Sequence, residues 1–170
     1  LTRAIDEYRR AQQVYAERPN AQVNLGNLAA AMGDAAAAES AYRRALAVGP
    51  YFLPGWVNLA DLYRALGREE EAAATLRAGL AQHPGAADLQ HALGLSLVRS
   101  GDLPAALAEL KKAALGAPEN GRYAYVYAVA LHSAGRSSEA HDVAEAALVR
   151  HPQDAALQQL AASLRAGPPR

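Results

Sequence analysis

The sequence predicts an all-α chain, an α-α superhelix of stacked helix-turn-helix repeats, and three series of residues carry that prediction. Pro50, Pro84, Pro118 and Pro152 stand 34 residues apart. Gly33, Gly67, Gly101 and Gly135 keep the same interval, as do Ala38, Ala72, Ala106 and Ala140. Proline and glycine are uncommon, so chance agreement of two such series is implausible. A strict period of this length marks a repeat array in which each unit is one supersecondary element.

Setting the proline at position 32 places four full units at 19–52, 53–86, 87–120 and 121–154 of a single array over 1–170. Residues 2–18, with Ala4, Tyr8 and Ala11 at helical spacing, read as a second helix without its first. Such a half-repeat leads to the expectation that the natural protein continues upstream, as the C-terminal array of a larger bacterial protein. The next junction is out of phase: Pro19 lies six residues before Leu25, where the other units place nine, so three residues are missing from that link. Within each unit, helix A ends at the glycine of position 15, which suits a C-cap with positive φ. Asp34 and Asp102 follow their glycines and are expected to cap helix B. Pro104 falls in a first helical turn, where a missing N–H is harmless. Glu69-Glu70-Glu71 opens a helix B, where acids favour the helix dipole. The proline of position 32 stops helix B. Residues 155–166 read as a capping helix, and the Gly167-Pro168-Pro169-Arg170 tail is expected to fray.

The apolar pattern agrees with this phasing. Trp56, Leu59, Ala60 and Tyr63 follow i, i+3, i+4, i+7, one face of a helix. Position 8 is always small (Gly26, Ala60, Gly94, Ala128) and position 20 is always Ala, which lets helices A and B cross closely. Leu25, Leu59, Leu93 and Tyr127 at position 7 are expected to fill the remaining space.

The run Trp56-x-x-Leu59-Ala60-x-x-Tyr63, followed by Gly67, Ala72, Leu76 and Pro84, resembles the tetratricopeptide repeat (TPR). The resemblance covers almost the whole chain. It departs from the pattern at the large aromatic positions, where Gln22, Gln90 and Ala124 stand in the place of Trp56. The resemblance implies a non-catalytic scaffold that binds a peptide or helix segment of a protein partner, with no cofactor. It also implies that positions 2, 5, 6, 9, 12 and 13 of helix A line a concave groove. Those positions supply Asn24, Asn27, Asn58, Asp61, Arg64, His91, Arg99, Arg122, Tyr125 and His132 as candidate partner-binding residues. Asn24 and Asn58, both at position 6, form the rungs of a short ladder, because an amide can bond a peptide backbone through both its oxygen and its nitrogen. Ala92 and Val126 end the ladder. The chaperone-tail subtype clamps two carboxylates with lysines on helix A. Lys111 and Lys112 are the only lysines here, both on a helix B, so that subtype is disfavoured. Arg64, Arg99 and Arg122 remain as cations for an acidic group.

Composition excludes other classes. Lys+Arg and Asp+Glu number 17 each, so the basic excess expected of a nucleic-acid binder is missing. No apolar run approaches the ~20 residues of a membrane span. The absence of cysteine removes disulfides, zinc-thiolate sites and covalent haem attachment. There is no glycine-rich phosphate loop and no nucleophile elbow. His83 and His151 share a repeat position two units apart, which at helix spacings of about 8–10 Å puts them roughly 20 Å from each other, too far to share a metal. The apolar junction Tyr51-Phe52-Leu53 is read as local packing around Trp56 or as an edge contact for a partner. Tyr125 and Tyr127 cannot share a face, so Tyr127 is assigned to the core and Tyr125 to the groove. A second reading is an accessory array fused to an enzyme or electron carrier, mediating oligomerisation through exposed terminal helices. Asn58-Leu59-Ala60-Asp61-Leu62-Tyr63-Arg64 and Arg122-Tyr123-Ala124-Tyr125-Val126-Tyr127-Ala128 are similar to C-terminal arrays of some bacterial multihaem-cytochrome-like proteins.

Overall fold

The computed structural model describes residues 18–166. The half-repeat helix expected over 2–18 lies outside these residues but for its last one, and so does the tail at 167–170. Among the described residues every regular element is a helix: α1 Pro19–Ala31, α2 Ala35–Val48, α3 Leu53–Ala65, α4 Glu69–Gln82, α5 Ala87–Arg99, α6 Leu103–Gly116, α7 Gly121–Ser133, α8 Ser137–Leu148 and α9 Ala155–Ala166. The chain divides into two compact units, Leu1–Pro84 and Gly85–Arg170. In unit 1, α1 packs on α2, α2 on α3, and α3 on α4. In unit 2, α5 packs on α6, α6 on α7, α7 on α8, and α8 on α9.

The turn between paired helices is the same each time. Gly33, Gly67, Gly101 and Gly135 lie at φ 81, 73, 83 and 76°. That left-handed backbone aims the following N–H at the carbonyl five residues back. Asp34 bonds Ala29 at 2.9 Å, Arg68 bonds Tyr63 at 2.8 Å, Asp102 bonds Leu97 at 3.0 Å, and Arg136 bonds Leu131 at 2.9 Å. These bonds satisfy carbonyls that the ending helix would leave open. The carboxylates of Asp34 and Asp102 then accept from the N–H of Ala37 (2.9 Å) and Ala105 (3.2 Å), capping α2 and α6. Pro19, Pro54 and Pro104 occupy first turns, at no cost in hydrogen bonds.

Small residues set how closely helices A and B approach. A Cβ added at Gly26 would lie 2.3 Å from the Tyr42 ring, and one at Gly94 would lie 2.6 Å from Leu110. Ala38, Ala72, Ala106 and Ala140 are all buried. In unit 2, Leu110, Tyr127, Ala128, Leu131, Ala144 and Leu157 form one apolar cluster, so α9 closes the core of that unit. Tyr127 is in this core, as assigned. Leu25 corrects the expectation for position 7. Leu59, Leu93 and Tyr127 are buried, but Leu25 is 51% exposed. The α1 face that packs is Gln22, Val23 and Gly26, and Leu25 lies off it.

Candidate functional site

Side chains from α1, α2 and α3 meet on the A-helix face of unit 1. Asn27 is the centre of the arrangement. Its Oδ1 accepts the Tyr42 hydroxyl at 2.8 Å and the Asn58 Nδ2 at 2.9 Å. Tyr42 is buried apart from this edge, and its phenol is pushed up, first by burial and then by the charge of Asp61. Asp61 is exposed and pairs with Arg64 one turn on, at 3.1 Å. Asn27, Tyr42, Asn58 and Asp61 line a cavity of about 390 Å³ with Ala30 and Leu62. Two N–H donors of the Asn27 amide and the Oδ1 of Asn58 remain for an incoming group.

The structure thus brings together Asn27, Asn58, Asp61 and Arg64 of the predicted set. Asn24 is exposed and lies outside the cavity lining. The amide that bonds Asn58 is Asn27, at position 9, and not Asn24 at position 6. The packed neighbours α1 and α3 set position 6 of one unit against position 9 of the unit before it. Tyr42 was not predicted. Its signal was available, since Tyr42 sits over Gly26 and a long polar-tipped side chain there must emerge on the A-helix face.

The remaining candidates belong to unit 2. His91 is only 8% exposed and stacks on Tyr123 with ring centroids 4.4 Å apart, so it serves the contact between α5 and α7. Burial, then the charge of Arg122, holds His91 below its ordinary value against the opposing pull of Asp88. The Tyr123 hydroxyl donates to Asp88, and its phenol is pushed up to about 12, by burial first and then by that bond. Tyr125, assigned to the groove, is half-buried and packs against the unit 2 core. Arg99, Arg122 and His132 are exposed, and His132 Nδ1 meets the Ser137 hydroxyl at 2.9 Å.

A polar network lies behind the unit 1 site. Glu39 on α2 accepts from Arg43 Nε, the Tyr63 hydroxyl and Arg68 Nη1, each at 2.9 Å. Arg43 Nη2 donates to the Tyr63 oxygen at 2.8 Å. Arg68 also pairs with Glu71 and lies 4.4 Å over the Tyr63 ring. Burial pushes the Glu39 carboxyl up, but the bonds from Tyr63, Arg68 and Arg43 outweigh it and hold the group below the usual carboxylate value. The network ties α2 to α3 and to the turn that precedes α4.

Unit 2 carries a larger cavity, about 490 Å³, on its B-helix side between α6 and α8. It was not predicted, though Ala124 at the tryptophan position was visible in the sequence.

Helix pairs joined by a glycine turn, with polar side chains gathered on the A-helix face, define a helical repeat scaffold. Two family models described as tetratricopeptide repeat match, over residues 29–95 and 91–155. The chain belongs to the tetratricopeptide repeat family, whose members are generally non-catalytic scaffolds for protein partners. No curated protein matches it. Among solved structures, a thermophilic TPR protein of Thermus thermophilus is 25% identical with a TM-score of 0.73, over 94% of this chain and 87% of that one. The MamA protein is 19% identical with a TM-score of 0.71, over 89% and 83%. YrrB, a TPR protein with an unusual peptide-binding site, is 20% identical with a TM-score of 0.67, over 94% and 82%. No helix among the described residues is long and apolar enough to cross a membrane.

Proposed function

We propose that the chain is a non-catalytic interaction scaffold that holds an extended peptide segment of a protein partner on the A-helix face of unit 1. The Asn27–Asn58 side-chain bond carries this reading. It fixes two amides from adjacent A helices in one orientation, so their free N–H and C=O groups are ordered before a peptide arrives. An extended backbone presents alternating C=O and N–H groups that these amides, together with Asp61, satisfy. Fixing the amides beforehand lowers the ordering cost of binding. Arg64 sets the charge preference, and Asn24 contacts the flanking residues of the peptide.

The test begins with partner capture on the full chain and identification of the captured protein. The partner segment is then titrated against the Asn27→Ala/Asn58→Ala double variant. Each lost neutral hydrogen bond costs about 0.5–1.5 kcal/mol, so affinity should fall roughly five- to a hundredfold with helicity retained. Unchanged affinity, with binding lost instead on changing Phe52 or Leu53, would move the site to the repeat edge.

A further inference from the structure

The unit 2 cavity lies where unit 1 holds a tryptophan. In unit 1, Trp56 on α3 is buried, and its indole Nε1 donates to the Pro50 carbonyl at 2.8 Å. The same carbonyl accepts His83 Nε2 at 3.0 Å. Two repeat periods on, His151 Nε2 bonds the Pro118 carbonyl at the same 3.0 Å. The residue in the place of Trp56 is now Ala124. It lines the 490 Å³ cavity with Pro118, Tyr127, Ala114 and Ala147. Among the described residues the Pro118 carbonyl has no side-chain donor besides His151, so one lone pair remains for an N–H.

Two cations, Lys111 and Arg150, and two carboxylates, Glu139 and Asp142, line this cavity, and the bond from Arg136, helped by the charge of Lys111, holds the Glu139 carboxyl below its ordinary value. Arg43 in unit 1 donates to Glu39 and Tyr63. Its counterpart is Lys111, and the counterparts of Glu39 and Tyr63 are Leu107 and Leu131, both buried. Lys111 therefore lines the cavity with no side-chain hydrogen bond among the described residues, and so does Arg150. Glu139, which also lines it, is neutralised by Arg136 through two bonds of 2.6 Å.

We propose that this cavity is a docking site for a tryptophan side chain of a partner polypeptide, flanked in that partner by acidic residues. The indole fills the space that Ala124 leaves, its N–H meets the Pro118 carbonyl as Trp56 meets Pro50, and the flanking carboxylates reach Lys111 and Arg150. The chain's only tryptophan, Trp56, is itself buried, so a second copy does not supply the indole. The site is separate from the asparagine face of unit 1, and each is tested without the other.

The probe is the acetylated, amidated pentapeptide Glu-Ala-Trp-Ala-Glu, titrated calorimetrically against the full chain. One-to-one saturable binding is expected. Exchanging the probe's tryptophan for alanine should weaken it by about thirtyfold or more, the loss typical of a buried aromatic anchor. Ala124→Trp should abolish binding and raise the thermal midpoint. Lys111→Glu with Arg150→Glu should weaken it about tenfold, an effect that shrinks in high salt. Asn27→Ala/Asn58→Ala should leave it unchanged. No binding at millimolar peptide, or equal binding by Ala124→Trp, overturns the proposal. If Ala124→Trp does not fold, the charge-reversal variant decides, and undiminished binding by it overturns the proposal. Self-association of the chain that Ala124→Trp removes would put a second copy in the cavity and likewise overturn it.

Discussion

Residues two repeat periods apart occupy equivalent places in the two units, and the side chains there differ in a consistent direction. Unit 1 keeps its B-helix side filled and its A-helix side polar: Trp56 covers Pro50, while Asn27, Asn58 and Asp61 face outward from α1 and α3. Unit 2 reverses both. Ala124 opens the B-helix side, and Leu95, Val126 and Val129 stand where Asn27, Asn58 and Asp61 stood. The polar network follows the same rule, since Glu39 and Tyr63 give way to Leu107 and Leu131. The backbone does not register these exchanges. The glycine turns, the histidine–carbonyl bonds and the retained Arg68–Glu71 and Arg136–Glu139 pairs are the same in both units. In a repeat scaffold the turn residues keep the frame, and the A and B faces vary independently on it.

The largest expected effect comes from making unit 1 resemble unit 2. Trp56→Ala removes a buried indole and its bond to Pro50. Truncation of a packed tryptophan costs about 3–5 kcal/mol, read from chemical denaturation of the full chain. Each repeat leans on its neighbours, so hydrogen exchange should quicken in α2 and α4 as well as in α3. An unchanged midpoint would mean that the two units do not differ at this position in the way described.

This comparison also marks what the sequence made legible. Helix ends were readable because Gly, Pro and Asp act locally: a positive φ, a missing N–H and a capping carboxylate need no tertiary partner. Asn58 and Asp61 were readable as candidates because each repeats a polar residue one period earlier. The exposure of Leu25, the stacking of His91 and the cavity beside Ala124 were not foreseen, for one reason. Their surroundings are set by residues of a neighbouring helix, and a single-repeat pattern does not carry that pairing. Leu25 repeats the spacing of Leu59 but lies off the packed face of α1. His91 falls at a groove position, yet Tyr123 on α7 covers it. Ala124 registers as a departure from the pattern only when it is set beside Trp56.

A smaller effect should be shared by the two units. Gly67→Ala and Gly135→Ala each force a Cβ into left-handed backbone at φ 73 and 76°, with open space around it. The cost is conformational and not steric, about 1–2 kcal/mol for each. Equal losses in denaturation would show that the frame is common to the units. Unequal losses would place part of the difference in the turns.

Glu39 separates the units through pH. Its folded carboxyl lies below the ordinary value, so the unfolded chain binds the proton more tightly. The stability it contributes is present above the unfolded value near 4.5 and is lost as pH falls through the folded value. Glu39→Gln should cost about 1 kcal/mol at neutral pH, since the network is partly exposed. The same change should flatten the acid limb of the stability curve below that value. Leu107 occupies the equivalent place in unit 2, so a variant of unit 2 there should leave the acid limb alone.

The smallest effect concerns the hydroxyl that orients the asparagine face. Tyr42 fills the space over Gly26 with its ring and bonds Asn27 with its tip, whereas its counterpart in unit 2, Leu110, has only the packing role. Tyr42→Phe keeps the ring and deletes the bond. Asn27 is exposed, so water replaces the lost donor, and the cost should fall at the low end of the usual range, about 0.5 kcal/mol. Asn58 still holds Asn27 at 2.9 Å, so the pair survives with one restraint fewer. Binding of the partner peptide should therefore weaken only about two- to fivefold, below the loss from removing both amides. Denaturation and peptide titration on the same variant check both numbers. A loss of affinity as large as that of the double asparagine variant would mean that Tyr42 itself touches the peptide, and a loss of stability well above 1 kcal/mol would mean that its ring had moved in the core.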